Sequence, residues 1–475
     1  MAKAITHPME RSQGSTASWL LLVVSVSCLT VLAISVPHLI TAGGWFSGAR
    51  AGEKFLYVAL IAYLGASVLY GSSVALRQAQ LLAGAVWISR AGLLLHTIAI
   101  GSRWVSSGHA PLSDIYEMVL VFSWAVVALE TLAEWKLKLP FLGAITLPIA
   151  ALALILMQVL PGEIRPLVPA LQSTWLQIHV TLAMLSYAGF TISFAVALLY
   201  LIKDGVTTRN FLSWCAALVV GVYGAIAATS INGNMALTMA AWDPATREKV
   251  MLAPHKALLV PLESLGWPFV IALVLAAATL ALNLAAKYST LPEKWEKIAH
   301  WAFLGTLGAQ ALALGLLLAK VNDGPQYLAD YSQSFEVRLA DSPFLLAGVA
   351  TALFASIAWK VLDWKYDSII GYLPSRDSLD DLIYKTVAIS FPLLTFMIIA
   401  GAYWANRTWG TYWSWDPKED WALITWLTYA GYLHMRLTRG WRGRPSAYFA
   451  IIGFGIVMFT FFGVTYLLPG LHSYA

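Results

Sequence analysis

The sequence predicts an all-α polytopic membrane protein with about 13 transmembrane helices, a cytoplasmic N-terminus and a C-terminus on the outer, periplasmic side. Three features predict this class. Of the 475 residues, 59% are hydrophobic and only 12% are charged, which is too little charge for the surface of a soluble protein of this size. Apolar runs of about 20 residues, the length of a helix that crosses a bilayer, recur throughout the chain. Lys and Arg residues concentrate in alternate connections between these runs.

The predicted spans follow from cutting the chain at charged, Gly-bearing or Pro-bearing breaks between the apolar runs. An alternative for the first run is a secretory signal peptide, because Lys3 and Arg11 precede it. We assign it as a span, because the run is long and no convincing small-x-small cleavage site follows. The thirteen predicted spans are 18–40, 54–74, 80–102, 115–135, 139–160, 175–202, 210–230, 257–285, 299–320, 342–362, 384–405, 418–437 and 446–468.

The orientation follows from the basic residues in the connections. With the N-terminus inside, the cytoplasmic face carries 18 of the 30 Lys and Arg residues and the outer face carries 11, as the positive-inside rule requires. The net charge of +5 is therefore interpreted as a topology signal, which predicts a lipid bilayer and no nucleic acid as partner. The two cysteines, Cys28 and Cys215, lie in apolar runs without any Cys-x-x-Cys pair, which argues against thiol redox chemistry by this chain.

A tryptophan-rich loop precedes the twelfth predicted span. Between Trp404 and Trp426 the sequence reads WANRTWGTYWSWDPKEDWALITW and holds six of the 21 Trp residues. An aromatic belt at the membrane interface is the alternative explanation, although it accounts for one or two Trp residues per helix end and not for a run across a whole loop. A rigid aromatic surface suits a flat, apolar macrocycle, and the residues predicted to form it are Trp409, Trp413 and Trp415, with Trp404 and Trp421 beside them.

Asp416 ends this loop and has the sequence features of a helix start. Asp416 suits the N-cap, Pro417 the first helical position and Glu419 the third, which together form a capping box. A capping role does not exclude a functional one, because the cap fixes where the aromatic surface stops.

Three histidines are candidate ligands. The predicted spans place His179, in the first turn of the sixth span, and His472, after the last span, at the outer surface. Two imidazoles beside an aromatic surface can supply both axial bonds of a planar iron macrocycle; the alternative is that each is a polar anchor at the interface. His434 follows Asp416 by 18 residues on one helix, about 27 Å away, so it serves a second, inner site or extends with Arg436 to the interface.

Four blocks of the sequence resemble the CcsA family, also called ResC, the membrane component of the System II pathway of cytochrome c assembly. The tryptophan loop corresponds to the family's WWD domain, which holds haem while two outer histidines bind the iron. The resemblance implies that these ligands are His179 and His472, and that His434 occupies the position of the family's membrane-embedded haem ligand. The four blocks are RWVSSGHAPLSDIYE (103–117), LVPALQSTWLQIHVTLAMLSYA (167–188), GAYWANRTWGTYWSWDPKEDWALITWLTYAGYLHMR (401–436) and GLHSYA (470–475).

The resemblance implies a haem lyase that acts with a CcsB-like (ResB-like) partner: haem b is carried across the membrane and attached to the Cys-x-x-Cys-His motif of an apocytochrome c. It also implies a bacterial inner membrane location with the active site on the periplasmic side, in preference to a thylakoid membrane. Trp409, Trp413, Trp415 and Asp416 are then the candidate catalytic residues. Arg90, inside the third span, would need a partner such as Glu130 or a haem carboxylate.

The chain departs from short family members by four additional spans within 207–376. The predicted organisation is therefore an N-terminal segment (1–102), a first part of the haem-handling core (103–206), the insert (207–376) and the WWD-loop core (377–475). Two other functions remain open: a haem exporter or carrier without ligation activity, like the related CcmC proteins, and an ion or solute transporter. A transporter would need paired acidic residues or broken helices near the membrane midplane, and neither feature is clearly visible in the sequence.

Overall fold

The computed structural model describes residues 51–137, 139, 142–158, 160, 162, 164, 166–231, 236–242, 249–250, 258–261, 266–322, 336–339, 343–468 and 470–471. Nearly all of them lie in helices. The helices are α1 Ala51–Leu76, α2 Ala79–Ser107, α3 Ile115–Leu137, α4 Gly143–Gln158, α5 Thr174–Lys203, α6 Thr208–Ile231, α7 Gly266–Tyr288, α8 Pro292–Asn322, α9 Pro343–Tyr372, α10 Arg376–Trp409, α11 Pro417–Thr438 and α12 Arg444–Met458, with a π turn Phe459–Gly463 and the short α13 Val464–Leu467 after it.

Each predicted span from the second to the thirteenth coincides with one of these helices, with α12, the π turn and α13 together forming the last. The first predicted span, 18–40, lies outside the described residues. Within the described part of the chain, eight helices are long and apolar enough to cross a membrane, and α4 is apolar but shorter. The protein is therefore a multi-pass membrane protein, as the sequence predicts.

The helical fold that the sequence predicts is confirmed, and the connections around α7 and α8 add one further feature to it. Four short strands lie there, β1 Ala236–Trp242, β2 Lys249–Val250, β3 Leu258–Pro261 and β4 Glu336–Leu339. All pair antiparallel with β1, and Met239 of β1 lies opposite both Leu258 and Leu339. Strand pairing satisfies backbone N–H and C=O groups that these long connections cannot satisfy within a helix. Because β3 occupies the start of the predicted span 257–285, α7 begins only at Gly266.

Helix α5 is the centre of the bundle. It packs mainly on α10, and also on α12 and α3. In its most apolar stretch, 78% of the residues are buried, as expected for a helix that is hydrophobic on all sides. Phe190 of α5 stacks on Tyr429 of α11 with ring centroids 3.6 Å apart. This packing fixes the relative heights of the helices that form the site described below.

Ion pairs join the opposite ends of these same helices. Asp204, after α5, binds Arg376 at 2.9 Å and Arg444 at 2.5 Å. Burial alone would raise the pKa of Asp204, but the hydrogen bonds and charges of the two guanidinium groups outweigh it and lower the pKa. Asp380 of α10 binds Arg436 of α11 at 2.6 Å, and both side chains are buried. Four helix ends are thereby fixed together at one end of the bundle.

Candidate functional site

A cleft lies at the other end of the bundle, where the first turns of α5, the last turns of α10, the start of α11 and the π turn meet. Its volume is about 1180 Å³, including the part open to solvent. Most of its wall is apolar or aromatic, and the ionisable groups in it are few, which is the usual make-up of a site for a small organic molecule. Apart from the phenols of Tyr187 and Tyr412, those ionisable side chains belong to Asp114, His179, Lys418 and Glu419.

His179 enters the cleft from the first turns of α5. Its Nδ1 lies 2.7 Å from the backbone carbonyl oxygen of Met397 in α10. A carbonyl only accepts, so Nδ1 must carry the proton and donate it. In the neutral ring the lone pair is then on Nε2, which is the arrangement of a histidine that binds iron or another metal through Nε2.

Gly401 makes this position of the imidazole possible. A Cβ atom at residue 401 would lie 2.5 Å from Nδ1 and 2.6 Å from Cε1 of His179. Real Cβ atoms do not approach other atoms so closely, so any side chain at this position of α10 would displace the ring. A small residue one helical turn after Met397 is therefore part of the site.

The aromatic wall is contributed mainly by Trp404, Trp413 and Tyr412. Trp404 is buried, its indole N–H donates to the carbonyl oxygen of Ala170 at 2.9 Å, and its ring lies nearly parallel to that of His179 with centroids 6.5 Å apart. The hydrogen bond satisfies the polar atom of the indole, so the ring presents an apolar face.

The other tryptophans of the loop have different surroundings. Trp409 packs edge-on against Trp404 at 4.8 Å between centroids, and Trp421 packs on Phe459 of the π turn at 4.2 Å. Trp415 is exposed, meets Trp413 at a right angle and has a positive φ of 58°, which is uncommon for a large side chain. The structure therefore brings Trp404 and Trp413 to the cleft, while Trp409 and Trp421 support its walls and Trp415 lies at its outer side.

Asp416 caps α11 as the sequence predicts. Its Oδ2 accepts from the backbone N–H of Lys418 at 3.1 Å, and the Glu419 carboxylate accepts from the N–H of Asp416 at 3.3 Å, which completes the capping box. Asp416 is nevertheless buried, and its Oδ1 accepts from the N–H of Leu471 at 2.5 Å. That second contact joins the tryptophan loop to the end of the chain.

His434, the third candidate, is described by the structure and is not among the residues that line the cleft. His472 lies outside the described residues, although its neighbour Leu471 is described. His434 lies in the last turns of α11, exposed on the surface of the bundle. Throughout the described ranges, no group of three or more His, Cys, Asp and Glu residues could hold a bare metal ion.

Asp114 is a cleft residue that the sequence did not single out, although it lies within a block quoted for the family resemblance. Its loop is fixed by a buried ion pair in which Arg103 Nε donates to Glu117 at 2.8 Å, while Ser113 donates to the same carboxylate. Burial, and then the charge of Glu117, raise the pKa of Asp114 to about 6. This carboxyl group therefore changes charge close to neutral pH.

Arg90 forms its ion pair with Glu134 and not with Glu130, the carboxylate named in the sequence analysis. It lies 3.7 Å from Glu134, one helical turn beyond Glu130 on α3, and its side chain is 41% exposed. Because residues four apart share a helix face, Glu134 lies on the same side of α3 as Glu130. Arg90 does not line the cleft.

Comparison with known proteins identifies the relatives of the chain. Residues 112–472 match the family described as "Cytochrome C assembly protein". A "Cytochrome c biogenesis protein CcsA" of Synechococcus sp. strain JA-3-3Ab is 31% identical over 425 residues, covering 88% of this chain and 93% of the relative. The protein of the same name from Synechocystis sp. strain PCC 6803 is 30% identical over 427 residues, covering 89% and 97%. The matched region includes the cleft and the insert.

Proposed function

The chain belongs to the CcsA family of cytochrome c assembly proteins and functions in cytochrome c biogenesis, and from this premise we propose that its cleft binds haem b for covalent attachment to an apocytochrome c. The observation that carries the proposal is the geometry of His179. Its proton is held on Nδ1 by the Met397 carbonyl, so Nε2 is the nitrogen that binds iron, beside a wall formed by Trp404 and Trp413. His472 is the proposed second axial ligand.

The aromatic wall fits a planar apolar ring, and the few ionisable groups fit its polar edge. Lys418 is the one cationic side chain among the cleft residues that the structure describes, and its ammonium group suits a haem carboxylate. Trp409, Trp415 and Trp421 act with the two cleft tryptophans as the proposed haem platform, the first and third by supporting it and Trp415 at its outer side.

The proposed chemistry is the addition of two cysteine thiols of a Cys-x-x-Cys-His motif to the two vinyl groups of haem. In each addition the sulfur forms a bond to one vinyl carbon and the thiol proton goes to the other, so no external oxidant or reductant is needed. The histidine of the motif then replaces one axial ligand and the product leaves. The protein contributes orientation, which alone can supply much of the rate enhancement of such a step.

We further propose the topology and location of the protein. A cytoplasmic N-terminus, 13 spans and an outer C-terminus place the cleft on the periplasmic side of a bacterial inner membrane, and the distribution of Lys and Arg supports this orientation. The haem-handling core consists of 103–206 and 377–475, since α5 packs mainly on α10 and α12. A CcsB-like partner completes the inner haem site at His434, whose exposure on α11 suits a ligand shared with another chain.

The absorption spectrum of the detergent-purified protein tests the haem site. We expect co-purified haem with a six-coordinate, low-spin spectrum, which His179→Ala and His472→Ala each convert towards a five-coordinate spectrum. His300→Ala is the control, because His300 lies on α8 near Asp363 and does not line the cleft. Absence of haem from the parent protein, or no effect of either ligand substitution, would refute the assignment.

Attachment itself needs a second experiment. The chain is reconstituted with its partner, haem and a reduced peptide that contains Cys-x-x-Cys-His, and thioether formation is read from the pyridine haemochrome spectrum. Covalent product supports a haem lyase. Haem that is bound by the protein but never attached would favour the carrier function.

A further inference from the structure

The Asp416 carboxylate uses its two oxygens for two different parts of the chain. Oδ2 accepts from the N–H of Lys418 at 3.1 Å and caps α11, whereas Oδ1 accepts from the N–H of Leu471 at 2.5 Å. A helix cap requires only the first of these contacts. Hydrogen bonds to an ionised acceptor are about twice as strong as neutral ones, and Asp416 is only 5% exposed, so water competes weakly for the second contact.

Gly470 allows the end of the chain to reach this carboxylate. A Cβ atom at residue 470 would lie 2.2 Å from Oδ1 of Asp416, within the space that the oxygen itself occupies. The same atom would lie 3.0 Å from Cδ of Pro417. Only a residue without a side chain permits the Leu471 N–H to meet Oδ1, so this glycine and the hydrogen bond are parts of one arrangement.

The last helix is directed to this point by contacts with α11. The hydroxyl groups of Thr460, in the π turn, and Thr425 lie 2.9 Å apart, and the Thr460 hydroxyl also lies 3.2 Å from the carbonyl oxygen of Trp421. The ring of Trp421 packs on Phe459. The π turn thus holds the final segment of the chain beside the first turns of α11, where Asp416 is located.

We infer that Asp416, Gly470 and Leu471 form a C-terminal clamp, in which Asp416 is a positioning residue for His472. This inference rests on the proposed function, in which His472 binds the haem iron. His472 follows Leu471 directly, so fixing the Leu471 backbone restricts the volume that the imidazole can reach. The same carboxylate sets the start of α11 and hence the edge of the tryptophan loop, so the clamp couples the proposed second ligand to the wall of the cleft.

Two substitutions open the clamp without removing either proposed ligand. Asp416→Ser keeps an effective N-cap for α11 but has a single side-chain oxygen, so it cannot also hold Leu471. Gly470→Ala leaves Asp416 in place and inserts one methyl group at the contact. Gly455→Ala is the matched control, because Gly455 lies on α12 and its added Cβ would have no atom within 4 Å.

The first measurement reports the position of the chain end without haem. In the full-length chain with Cys28→Ala, Cys215→Ala and Ser473→Cys, labelling by a membrane-impermeant maleimide should become about tenfold faster in both clamp variants, equivalent to about 1.4 kcal/mol. The control should label at the parent rate. The second measurement is the haem spectrum, which should shift from low-spin towards high-spin in both clamp variants and return on addition of imidazole.

The outcomes separate the clamp from the proposed function. Faster labelling together with a spectral shift that imidazole reverses supports the inference. Unchanged labelling in both clamp variants overturns it, and so does faster labelling with an unchanged haem spectrum, because His472 would then not depend on the clamp. A parent protein that binds no haem refutes the proposed function, while the labelling rates still decide whether Asp416 holds the end of the chain.

Discussion

Gly401→Ala should disturb the haem site by displacing His179, although residue 401 has no functional group. The added Cβ would lie 2.5 Å from Nδ1 and 2.6 Å from Cε1 of the imidazole. Because unstrained contacts between such atoms are about 3.5 Å, the ring must move by about 1 Å. The 2.7 Å hydrogen bond from Nδ1 to the Met397 carbonyl would then lengthen beyond about 3.5 Å, where it no longer counts as a hydrogen bond.

The expected consequence is a loss of haem affinity of about 10-fold to 100-fold, the usual effect of removing the group that orients a metal-binding histidine. Haem is titrated into the apoprotein in detergent and binding is followed by absorbance, with His179→Ala as the reference for complete loss of the ligand. Helix propensity does not oppose the change, because Ala stabilises a helix by about 0.5 to 1 kcal/mol relative to Gly. A fall in affinity therefore cannot be attributed to weaker helix formation.

The control is Gly431→Ala on α11, where the added Cβ would meet its nearest atom, on Phe449, at an ordinary 3.7 Å. It should bind haem like the parent protein. The reasoning is refuted if Gly401→Ala binds haem with parental affinity while His179→Ala does not, since the imidazole would then tolerate the displacement. If neither variant changes affinity, the assignment of His179 itself fails.

Three further predictions concern charge and packing. Because the folded-state pKa of Asp114, about 6, lies above the ordinary 3.8, the folded protein binds this proton more tightly than the unfolded chain and stability falls as pH rises through 6. In the parent protein this effect should lower the melting temperature by about 2 °C between pH 4 and pH 7, and Asp114→Asn should abolish that part of the decrease. The same dependence of melting temperature on pH in both proteins would contradict the prediction. Arg436→Ala should lower the free energy of unfolding in detergent by about 3 kcal/mol, because it leaves the Asp380 carboxylate buried without its partner. The double variant Arg436→Met with Asp380→Leu should recover most of this loss. If the single and the double variant lose equal stability, the ion pair is not the cause. Gly453→Ala should lower the melting temperature by overpacking, at a cost of about 1 to 3 kcal/mol, because its Cβ would lie 2.8 Å from the ring of Tyr429 in α11. Gly455→Ala, whose added Cβ meets no atom within 4 Å, should leave the melting temperature unchanged. Equal melting temperatures of the two variants would contradict this packing.

The presence and order of the helices could be predicted because their determinants are local, whereas several limits differ: α7 begins at Gly266 instead of 257, and α10 at Arg376 instead of 384. An apolar run of sufficient length crosses a bilayer whatever it packs against, and charged or Gly-bearing and Pro-bearing breaks end it. The capping box at Asp416 and Glu419 spans four consecutive residues, so the start of α11 was predicted correctly from sequence alone. The strands β3 and β4 were not predicted, because each forms only by pairing with β1, which is distant in sequence.

What surrounds each functional side chain was decided by tertiary structure. A helix that is apolar on all sides, such as α5, gives no pattern that tells which side meets which neighbour. The sequence therefore identified His179 and the tryptophan loop as candidates but not the Met397 carbonyl, 218 residues away, that fixes the proton on Nδ1. Likewise it identified Asp416 as a helix cap but not as the acceptor for Leu471, 55 residues later. Residue types and spans are set by local chemistry, whereas the tautomer of a ligand and the anchoring of a chain end depend on helix packing across the whole bundle.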